Sequence, residues 1–506
     1  MAPDAAFATV LAATSGAVGC SLLIERLMTP CPRLLRPASA WAVHIGLCAL
    51  AHAVLTLLLG RPWFAGAALS AFLLLLVLVN NAKMKALREA FVFQDYEYFT
   101  DAIRHPRLYI PFLGWGKFIG AAGGFVLAVL VGLLGEAIPG ERFAWSGQLG
   151  AALVVLVGGM LLVWAGQGRL PAASFVPEDD VRALGLLASL WRYRVAEQLP
   201  LQLAFPFQRL LPGKSAAELP HLVAVQSESF FDARALHPGI RRELLAELDR
   251  LQSEALVHGK LQVPAWGANT VRTEFAFLSG IAAEHLGVHR FNPYRRLAAG
   301  CALPTLASHL QRLGYRTICL HPYPASFYRR DRAYPRLGFG EFLDLRTFDQ
   351  AERDGPYVSD AALAEQVAAI LRQASGPLFI FVITMENHGP LHLERVDPAE
   401  VEALYTQPPP PGCDDLTIYL RHLRNANRML ADVRRTLESG ARPASLCWFG
   451  DHVPIMPAVY ARCGLPSGEV DYVLWSTQPS RPPPRRVDLP AHDLATTWLR
   501  ALGLAG

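Results

Sequence analysis

The stretch "SLCWFGDHVP", Ser445–Pro454, joins an apolar run to an adjacent acid and imidazole. The residues up to Phe449 are typical of a buried strand, because they are apolar without alternation. The chain then turns at Gly450 and places Asp451 and His452 side by side. Strand ends often carry polar residues for no functional reason. The Asp451–His452 pair alone is therefore as compatible with an ordinary polar loop as with a binding site.

Three other predicted strands of the C-terminal half also end near a side chain that can bind a metal or a phosphate. Glu228 follows "HLVAV" at 221–225, His321 follows "YRTICL" at 315–320, and His388 follows "PLFIFVIT" at 377–384. Helical patterns separate the strands, at 241–259, 304–314, 359–376 and 419–438. Strands alternating with helices predict an α/β domain with a mostly parallel sheet, whose carboxyl ends share one edge. We therefore expect these side chains to converge with Asp451 and His452.

The first third of the chain consists mostly of long apolar runs. Five of them approach the roughly 20 residues that a helix needs to cross a bilayer, at about 5–24, 40–60, 63–80, 118–138 and 147–166. The first run lacks the basic start of a signal peptide, since its first positive charge is Arg26. We predict a transmembrane domain of five helices over 1–168, a linker with an amphipathic helix over 169–219, and a catalytic domain over 220–506.

The net charge of the chain argues against one class of binding partner. The net charge is only +4 for 506 residues, and no basic stripe stands out, so nucleic acid is not an expected partner.

Lysine and arginine concentrate in the loops after the first and third apolar runs. By the positive-inside rule these loops would be cytoplasmic, which with five spans places the C-terminal domain in the cytoplasm too. The eight cysteines include no CxxC pair and do not decide the compartment.

Glutamate, aspartate and histidine together form a plausible ligand set for a divalent cation. A fourth group is offered by "WGANTVRTEFAFLSG" at 266–280, where a turn-forming Gly-Ala-Asn precedes a helical pattern. Thr270 would begin that helix, where free N–H groups and the helix dipole favour an anion such as phosphate. From the local sequence alone, Thr270 is better explained as a simple helix N-cap.

The order of these motifs resembles the lipoteichoic acid synthase family and related phosphoglycerol transferases of the alkaline-phosphatase superfamily. "SESF" with Glu228 resembles the first metal-ligand segment, "NTVRTEF" with Thr270 the nucleophile segment, and "GDH" the final metal pair. "HPYPASFYRRD" and "NHGP" resemble the substrate-binding segments. The resemblance implies substrate-binding roles for His321, Tyr328, Arg330 and His388.

The same resemblance implies one divalent metal, Mn²⁺ or Mg²⁺ with Zn²⁺ as an alternative, held by Glu228, Thr270, Asp451 and His452. It implies that the catalytic Thr270 takes a phosphoglycerol group from phosphatidylglycerol, or from another phospholipid, and passes it to a cell-envelope glycan or polymer. It further implies a multi-pass protein of the bacterial inner membrane with an extracytoplasmic catalytic domain. This contradicts the loop charges, but long domains translocate largely regardless of charge.

Several alternatives stay open. Tyr328 stands where lipoteichoic acid synthases usually have Trp, and Asn427 stands where an acidic residue is expected. Phosphoethanolamine transferases, acting on lipid A or an envelope glycan, also have five spans and a Thr nucleophile, but usually use zinc and more disulfides. A formylglycine sulfatase is disfavoured, because "TVRTE" does not match its Cys/Ser-x-Pro-x-Arg segment. A domain that binds a glycan or partner without catalysis is the third alternative.

Overall fold

The computed structural model describes residues 3–108, 114–136, 142–201, 203–209, 219–478 and 483–505. Contacts between residues divide the chain into two compact units, Met1–Pro200 and Leu201–Gly506. We describe each unit by itself.

The first unit is helical throughout its described part. Its helices are α1 (Pro3–Glu25), α2 (Ala38–Leu59), α3 (Pro62–Leu87), α4 (Tyr98–Arg104), α5 (Trp115–Gly135), α6 (Arg142–Gln167), α7 (Pro177–Leu184) and α8 (Leu186–Ala196). The long helices are mostly apolar along their length, which is typical of helices that cross a membrane. Gly60, with φ 67°, ends α2, and Pro62 lies in the first turn of α3. Both residues are favoured at these positions, because glycine adopts positive φ freely and proline suits a first turn.

The described residues contain four helical segments long and apolar enough to cross a membrane, at Asp4–Glu25, Ala38–Leu59, Pro62–Leu87 and Trp145–Gln167. They correspond to four of the five spans predicted from the sequence. The span predicted at 118–138 falls on α5, whose apolar part Gly123–Gly135 is shorter, and its last residues, 137–138, lie outside the described ranges. The protein therefore has an N-terminal region of four or more apolar helices.

Helices α2 and α6 approach closely at a pair of glycines. A Cβ atom added to Gly46 would lie 2.8 Å from the carbonyl oxygen of Gly159, and one added to Gly159 would lie 2.9 Å from that of Gly46. Small residues at a helix interface are typical of membrane proteins, where close van der Waals packing holds helices together.

The segment predicted to contain one amphipathic helix around 179–195 forms two helices. Gly185, with φ 81°, separates α7 from α8, and a break there is favoured because only glycine adopts this conformation easily. Both helices belong to the first unit.

The second unit is an α/β domain built around one large sheet. Its strands are β1 (His221–Ser227), β2 (Val257–Gln262), β3 (Arg316–Leu320), β4 (Glu341–Leu343), β5 (Arg353–Asp354), β6 (Tyr357–Val358), β7 (Leu378–Ile383), β8 (Ala444–Gly450), β9 (Val470–Ser476), β10 (Arg485–Arg486) and β11 (Leu489–Pro490). Its helices are α9 (Pro206–Arg209), α10 (Ala246–Glu254), α11 (Thr270–Ser279), α12 (Tyr294–Ala298), α13 (Leu306–Arg312), α14 (Arg330–Ala333), α15 (Asp360–Arg372), α16 (Pro398–Leu404), α17 (Asp414–Glu438), α18 (Pro457–Cys463) and α19 (Ala491–Ala501).

The strands of this sheet lie in the order β10-β2-β9-β8-β1-β7-β3-β4, and β11 also pairs with β2. The five neighbours β8, β1, β7, β3 and β4 are mutually parallel, whereas β9 runs antiparallel to both β8 and β2. Strands β1, β7 and β8 are buried along their whole length, because helices cover both faces of a parallel sheet. The predicted fold, apolar helices followed by an α/β domain with a mostly parallel sheet, is confirmed.

One predicted helix of this unit is wrong at its C-terminal end. The helical pattern assigned to 241–259 ends at Glu254, and β2 begins at Val257. The side chains of β2 alternate between buried and partly exposed, which is the pattern of an edge-side strand rather than a helix. Gly259 lies within this strand instead of ending a helix.

Candidate active site

The strand register brings the polar ends of β1 and β8 together. Ser227 pairs with Gly450 across the parallel ladder, so Glu228 and Asp451 leave the sheet side by side. Strand β7 flanks β1 on the other side and β3 flanks β7. The carboxyl ends of all four strands therefore share one edge, where open α/β sheets bind their ligands.

Three side chains at this edge could hold a metal ion. The ligand atoms of Glu228, Asp451 and His452 lie within 4.8 Å of one another, and all three residues are buried. Nε2 of His452 is 3.6 Å from Oε1 of Glu228 and 3.4 Å from Oδ2 of Asp451. The two strand ends predicted to supply one site thus do converge.

Ser229 and the backbone fix the orientation of these three side chains. The N–H of Ser229 donates to Oδ1 of Asp451 at 2.8 Å, and its hydroxyl donates to Oε1 of Glu228 at 2.9 Å. Nδ1 of His452 lies 3.2 Å from the carbonyl oxygen of Val453, an arrangement in which Nδ1–H donates and Nε2 keeps its lone pair. Such outer hydrogen bonds are typical of histidines that bind metals.

The donor set fits a divalent cation. Within the described residues, neither Nε2 of His452 nor Oδ2 of Asp451 has a hydrogen-bond partner, although both atoms are buried. Unpaired buried acceptors are costly, and two that face each other beside a second carboxylate are explained by a cation. Burial raises the pKa of Glu228 to about 8, and the charge of Asp451 adds to the rise. A cation is what would let both carboxylates stay charged.

Thr270 is the first residue of α11, as predicted. Asn269 precedes it with φ 66°, a left-handed conformation that Asn tolerates better than most residues. The hydroxyl of Thr273 donates to the carbonyl oxygen of Asp451 at 2.8 Å. In the same helix Phe277 packs on Phe449, with ring centroids 4.7 Å apart. These contacts fix the first turn of α11 beside Asp451 and His452.

Arg330 lies buried in a polar cluster that is centred on Glu274. Its Nε donates to Oε2 of Glu274 at 3.2 Å, and its Nη2 forms a second, closer ion pair with Oε1. The hydroxyls of Tyr294 and Tyr334 both donate to Oε2 of Glu274, at 2.8 and 2.7 Å. Arg330 and Glu274 are at most 1 % exposed. The guanidinium is therefore held in one position without help from water.

His321 connects Arg330 to the sheet. Its Nδ1 lies 3.2 Å from the carbonyl oxygen of Ile383, and Nη1 of Arg330 donates to its Nε2 at 3.2 Å. Burial lowers the pKa of His321 well below its usual value, and the charge of Arg330 lowers it further. His321 is therefore neutral near pH 7, with Nε2 as an acceptor.

Tyr328 and His388 complete the set of side chains predicted to bind substrate. The ring of Tyr328, a residue with φ 55°, lies 5.2 Å from the guanidinium carbon of Arg330. Nδ1 of His388 donates to the carbonyl oxygen of Gly389 at 2.7 Å. Burial lowers the pKa of His388 below its usual value, with Arg330 adding to the effect and the Gly389 carbonyl and Asp451 opposing it. His388 is thus also neutral at pH 7.

Sequence reasoning missed two residues of this site. Ser229 was visible only as a neighbour of Glu228, and its contacts to Asp451 span 222 residues of chain. Glu274 lies within the "NTVRTEF" motif, which by itself gives it no role, and its partner Arg330 is 56 residues away. The unexpected Asn427 has a structural role, because its Oδ1 accepts the N–H of Leu248 at 3.1 Å and so caps part of α10.

Comparison with known proteins identifies relatives for both parts of the chain. The Sulfatase family model matches residues 220–504. A capsular polysaccharide biosynthesis protein, RkpI, of Rhizobium meliloti (strain 1021) is 31 % identical over 424 residues, which cover 78 % of this chain and 74 % of that protein. Lipoteichoic acid synthase 1 of Bacillus subtilis (strain 168) is 28 % identical over 89 residues, or 17 % of this chain and 14 % of the synthase.

One solved structure matches the chain almost from end to end. The integral membrane protein lipooligosaccharide phosphoethanolamine transferase A (EptA) of Neisseria meningitidis aligns with a TM-score of 0.57 and 13 % sequence identity. The alignment covers 96 % of this chain and 95 % of that protein. At this identity the likeness concerns the fold, namely apolar helices followed by an α/β domain.

Proposed function

This chain belongs to the sulfatase family, and from that premise we propose that it is a membrane-anchored phosphotransferase. It moves a phosphoglycerol group from phosphatidylglycerol to a cell-envelope glycan or polymer through a phospho-threonine at Thr270. The convergence of Glu228, Asp451 and His452 beside the helix that Thr270 begins is the observation that carries the proposal. The predicted resemblance to the lipoteichoic acid synthases is confirmed by the family match and by the stretch shared with a synthase.

The cofactor in this proposal is one divalent cation, Mn²⁺ or Mg²⁺, held by Glu228, Asp451, His452 and the hydroxyl of Thr270. When bound, such a cation acts as a Lewis acid and lowers the pKa of a coordinated hydroxyl. Carboxylate oxygens suit either metal, and the single imidazole also admits Zn²⁺.

In the first step the hydroxyl oxygen of Thr270 attacks the phosphorus of the lipid phosphodiester. The bond from phosphorus to the diacylglycerol oxygen breaks, and the proton of the Thr270 hydroxyl ends on the released diacylglycerol. His388 is the proposed carrier of that proton. Its Nδ1 donates to Gly389, which leaves Nε2 to accept, and its lowered pKa keeps it neutral beforehand.

Arg330 and Tyr328 contact the phosphodiester in this proposal, and His321 acts on it through Arg330. Arg330 is a buried cation whose Nε and Nη2 are both fixed on Glu274, while its Nη1 donates to the neutral imidazole of His321. The Nη1–H group can therefore change its hydrogen-bond acceptor from His321 to a phosphate oxygen without breaking the ion pair between Arg330 and Glu274. Because His321 is neutral and turned toward Arg330, it positions the guanidinium rather than supplying a proton.

In the second step an acceptor hydroxyl attacks the phosphorus of phospho-Thr270. The bond from phosphorus to the Thr270 oxygen breaks, the acceptor proton returns to Thr270, and the enzyme is regenerated. An envelope glycan is the proposed acceptor, since the 31 % identical relative is named for capsular polysaccharide biosynthesis. The N-terminal apolar helices would keep the site beside its lipid donor.

Phosphoethanolamine is the second candidate headgroup, with lipid A or an envelope glycan as acceptor. It is favoured by the end-to-end fold match to a lipooligosaccharide phosphoethanolamine transferase. Both headgroups are attached through the same phosphodiester, so the residues that contact phosphate serve either one.

The catalytic unit lies outside the cytoplasm in this proposal, and the helices lie in the bacterial inner membrane. The orientation is tested by fusing alkaline phosphatase, which is active only outside the cytoplasm, after Gly506. High activity of the fusion supports the proposed orientation, and an inactive but intact fusion contradicts it.

The function is tested with the full chain in vesicles that contain phosphatidylglycerol and phosphatidylethanolamine. With Mn²⁺ present we expect release of diacylglycerol and a peptide containing Thr270 whose added mass is that of phosphoglycerol. An added mass of phosphoethanolamine would select the second candidate. Thr270→Ala should abolish release, by a factor on the order of 10³ or more. Undiminished release by that variant would refute the proposed nucleophile.

A further inference from the structure

A second group of potential metal ligands lies outside the site formed by Glu228, Asp451 and His452. Asp354, Glu386 and His422 place one ligand atom each within 4.8 Å of the others. They come from the β5–β6 hairpin, the loop after β7 and the long helix α17. Glu386 and His422 are at most 1 % exposed, and so is Asp360 beside them. We call Asp354, Asp360, Glu386 and His422 the Asp354 cluster; the proposed reaction uses none of them.

The imidazole of His422 is oriented as metal-binding histidines are. Its Nδ1 lies 3.0 Å from Oε1 of Glu386, and its Nε2 lies 3.1 Å from Oε2 of Glu394. Glu394 is also paired with Arg421 at 2.6 Å. A histidine whose outer ring N–H donates to a carboxylate presents the lone pair of its other nitrogen to a metal. Here that nitrogen is Nδ1, which faces Glu386 inside the cluster.

An unpaired carboxylate oxygen of Asp360 is independent evidence that a cation binds here. Its Oδ1 is buried and has no hydrogen-bond partner within the described part of the chain. Its own N–H donates to Oε2 of Glu386 at 2.7 Å, and the charges of Glu386, His422 and Asp354 all act on its carboxyl. Asp360 therefore belongs to the cluster, and a buried carboxylate oxygen is stable only when something pairs with it.

The charges of the Asp354 cluster do not balance within the cluster. It has three carboxyl groups, and the one imidazole can supply a single positive charge. The amide of Asn425 donates to Asp354 at 2.8 Å and to Glu386 at 2.7 Å, which bridges the two carboxylates but adds no charge. A hard divalent cation would add the charge and also bind the unpaired oxygen, since such cations take carboxylates with one imidazole.

We propose that the Asp354 cluster is a second divalent-cation site, with Asp354, Asp360, Glu386 and His422 as ligands and Glu394 orienting the imidazole. A cation there ties the β5–β6 hairpin and α17 to the loop that carries His388, two residues beyond Glu386. It therefore supports the loop that carries His388. The inference does not depend on which group the enzyme transfers.

A proton on His422 is the competing occupant. Glu386 and Glu394 raise the pKa of His422 to about 9, against the effect of its burial, so in a cation-free protein the ring bridges both carboxylates as an imidazolium. Binding of a cation at Nδ1 must then release this proton. The two states differ in the number of metal ions bound and in the protons released.

The test counts Mn²⁺ ions bound to the full chain in detergent, after removal of metals with a chelator. We expect two equivalents for the wild type, one for Glu228→Gln and one for Glu386→Gln. Asp354→Asn, at a half-buried residue that is easier to replace, should also bind one. Asp349→Asn, an exposed acid in the same region, is the matched control and should bind two. Calorimetry in buffers of different ionisation enthalpy should show proton release that Asp354→Asn reduces.

The outcomes are distinct from those of the transfer assay. One equivalent in the wild type, lost in Glu228→Gln and kept in Glu386→Gln, would overturn the second site and leave the proposed function intact. Two equivalents that both survive in Asp354→Asn and Glu386→Gln would overturn it as well. Circular dichroism of each variant checks that its helices are retained, so that a lost ion is not a lost fold.

Discussion

The carboxylate of Glu274 accepts hydrogen bonds from both Nε and Nη2 along one edge of the Arg330 guanidinium, and two tyrosine hydroxyls donate to the same carboxylate. Both charges are buried. A buried cation is tolerated only while its counter-charge is present, because neither can be hydrated. Glu274 is thus the residue that allows a fixed positive charge to exist at the active-site edge.

Glu274→Gln should lower the free energy of unfolding by about 3–5 kcal/mol, because it leaves Arg330 buried without a counter-charge. Thermal or denaturant unfolding of the full chain measures this. The matched control is Glu341→Gln, since Glu341 pairs with Arg316 on the surface, where the side chains are 39 % and 54 % exposed. That change should cost less than about 1 kcal/mol. Equal losses in both variants would contradict the role given to Glu274.

Ser229→Gly should weaken Mn²⁺ binding at the site of Glu228 by about 10- to 100-fold. The hydroxyl of Ser229 holds the Glu228 carboxylate at 2.9 Å, and glycine removes it without strain, because Ser229 already has φ 53°. The backbone N–H that holds Asp451 is kept. Calorimetric titration with Mn²⁺ measures the change, and an unaltered affinity would show that the hydroxyl does not position the ligand.

Thr273→Val should reduce the rate of transfer more than the affinity for the lipid. The hydroxyl of Thr273 fastens α11 to the carbonyl oxygen of Asp451, and valine keeps the shape of the side chain but not the donor. We expect a lower kcat with little change in KM, and a stability loss of about 1–3 kcal/mol for the unpaired carbonyl. Thr273→Ser restores the donor and should restore kcat. If both variants behave alike, the hydrogen bond does not position Thr270.

His221 should make the protein less stable in acid. Burial lowers its pKa to about 4 from 6.5, with Arg442 adding to the effect, and its Nδ1 accepts the N–H of Leu378 at 3.2 Å. Between these pKa values the unfolded chain binds a proton that the folded chain does not. The stabilising contribution is therefore present above about pH 6.5 and is lost as the pH falls toward 4.

His221→Asn tests this, because an asparagine oxygen can accept the same N–H and does not titrate. Unfolding temperatures compared at about pH 7 and about pH 5 should fall less for the variant, by the equivalent of about 1–2 kcal/mol. An identical fall in wild type and variant would exclude His221 as the titrating group.

The sequence predicts those parts of the site that adjoin a strand end. Glu228, His321 and Asp451 each directly follow a strand in the structure, and His452 comes next after Asp451. The rule that parallel strands end at one edge is enough to group them. Thr270 needed the family resemblance, because its local pattern is equally that of an ordinary helix start.

The parts that sequence reasoning missed depend on long-range pairing. Strand β2 follows a helical pattern with no loop signal between them, and its pairing with β9, β10 and β11, all more than 200 residues away in the chain, makes it a strand. Strand β9 itself was not predicted. The Asp354 cluster draws its four residues from the β5–β6 hairpin, the start of α15, the loop after β7 and α17, and no single local motif contains two of them. Glu274 and Arg330 likewise stand in separate motifs, and folding alone shows that they form a pair.

The pairing of Ser227 with Gly450 also constrains how the gene can change. Each residue inserted into or deleted from β1 or β8 shifts the following side chain by about 3.3 Å along the sheet and turns it to the opposite face. Such a shift in the strand register would move the side chain of Glu228 away from that of Asp451. Insertions and deletions in related genes should therefore be absent from these two strands, while the long segment between them is free to vary in length.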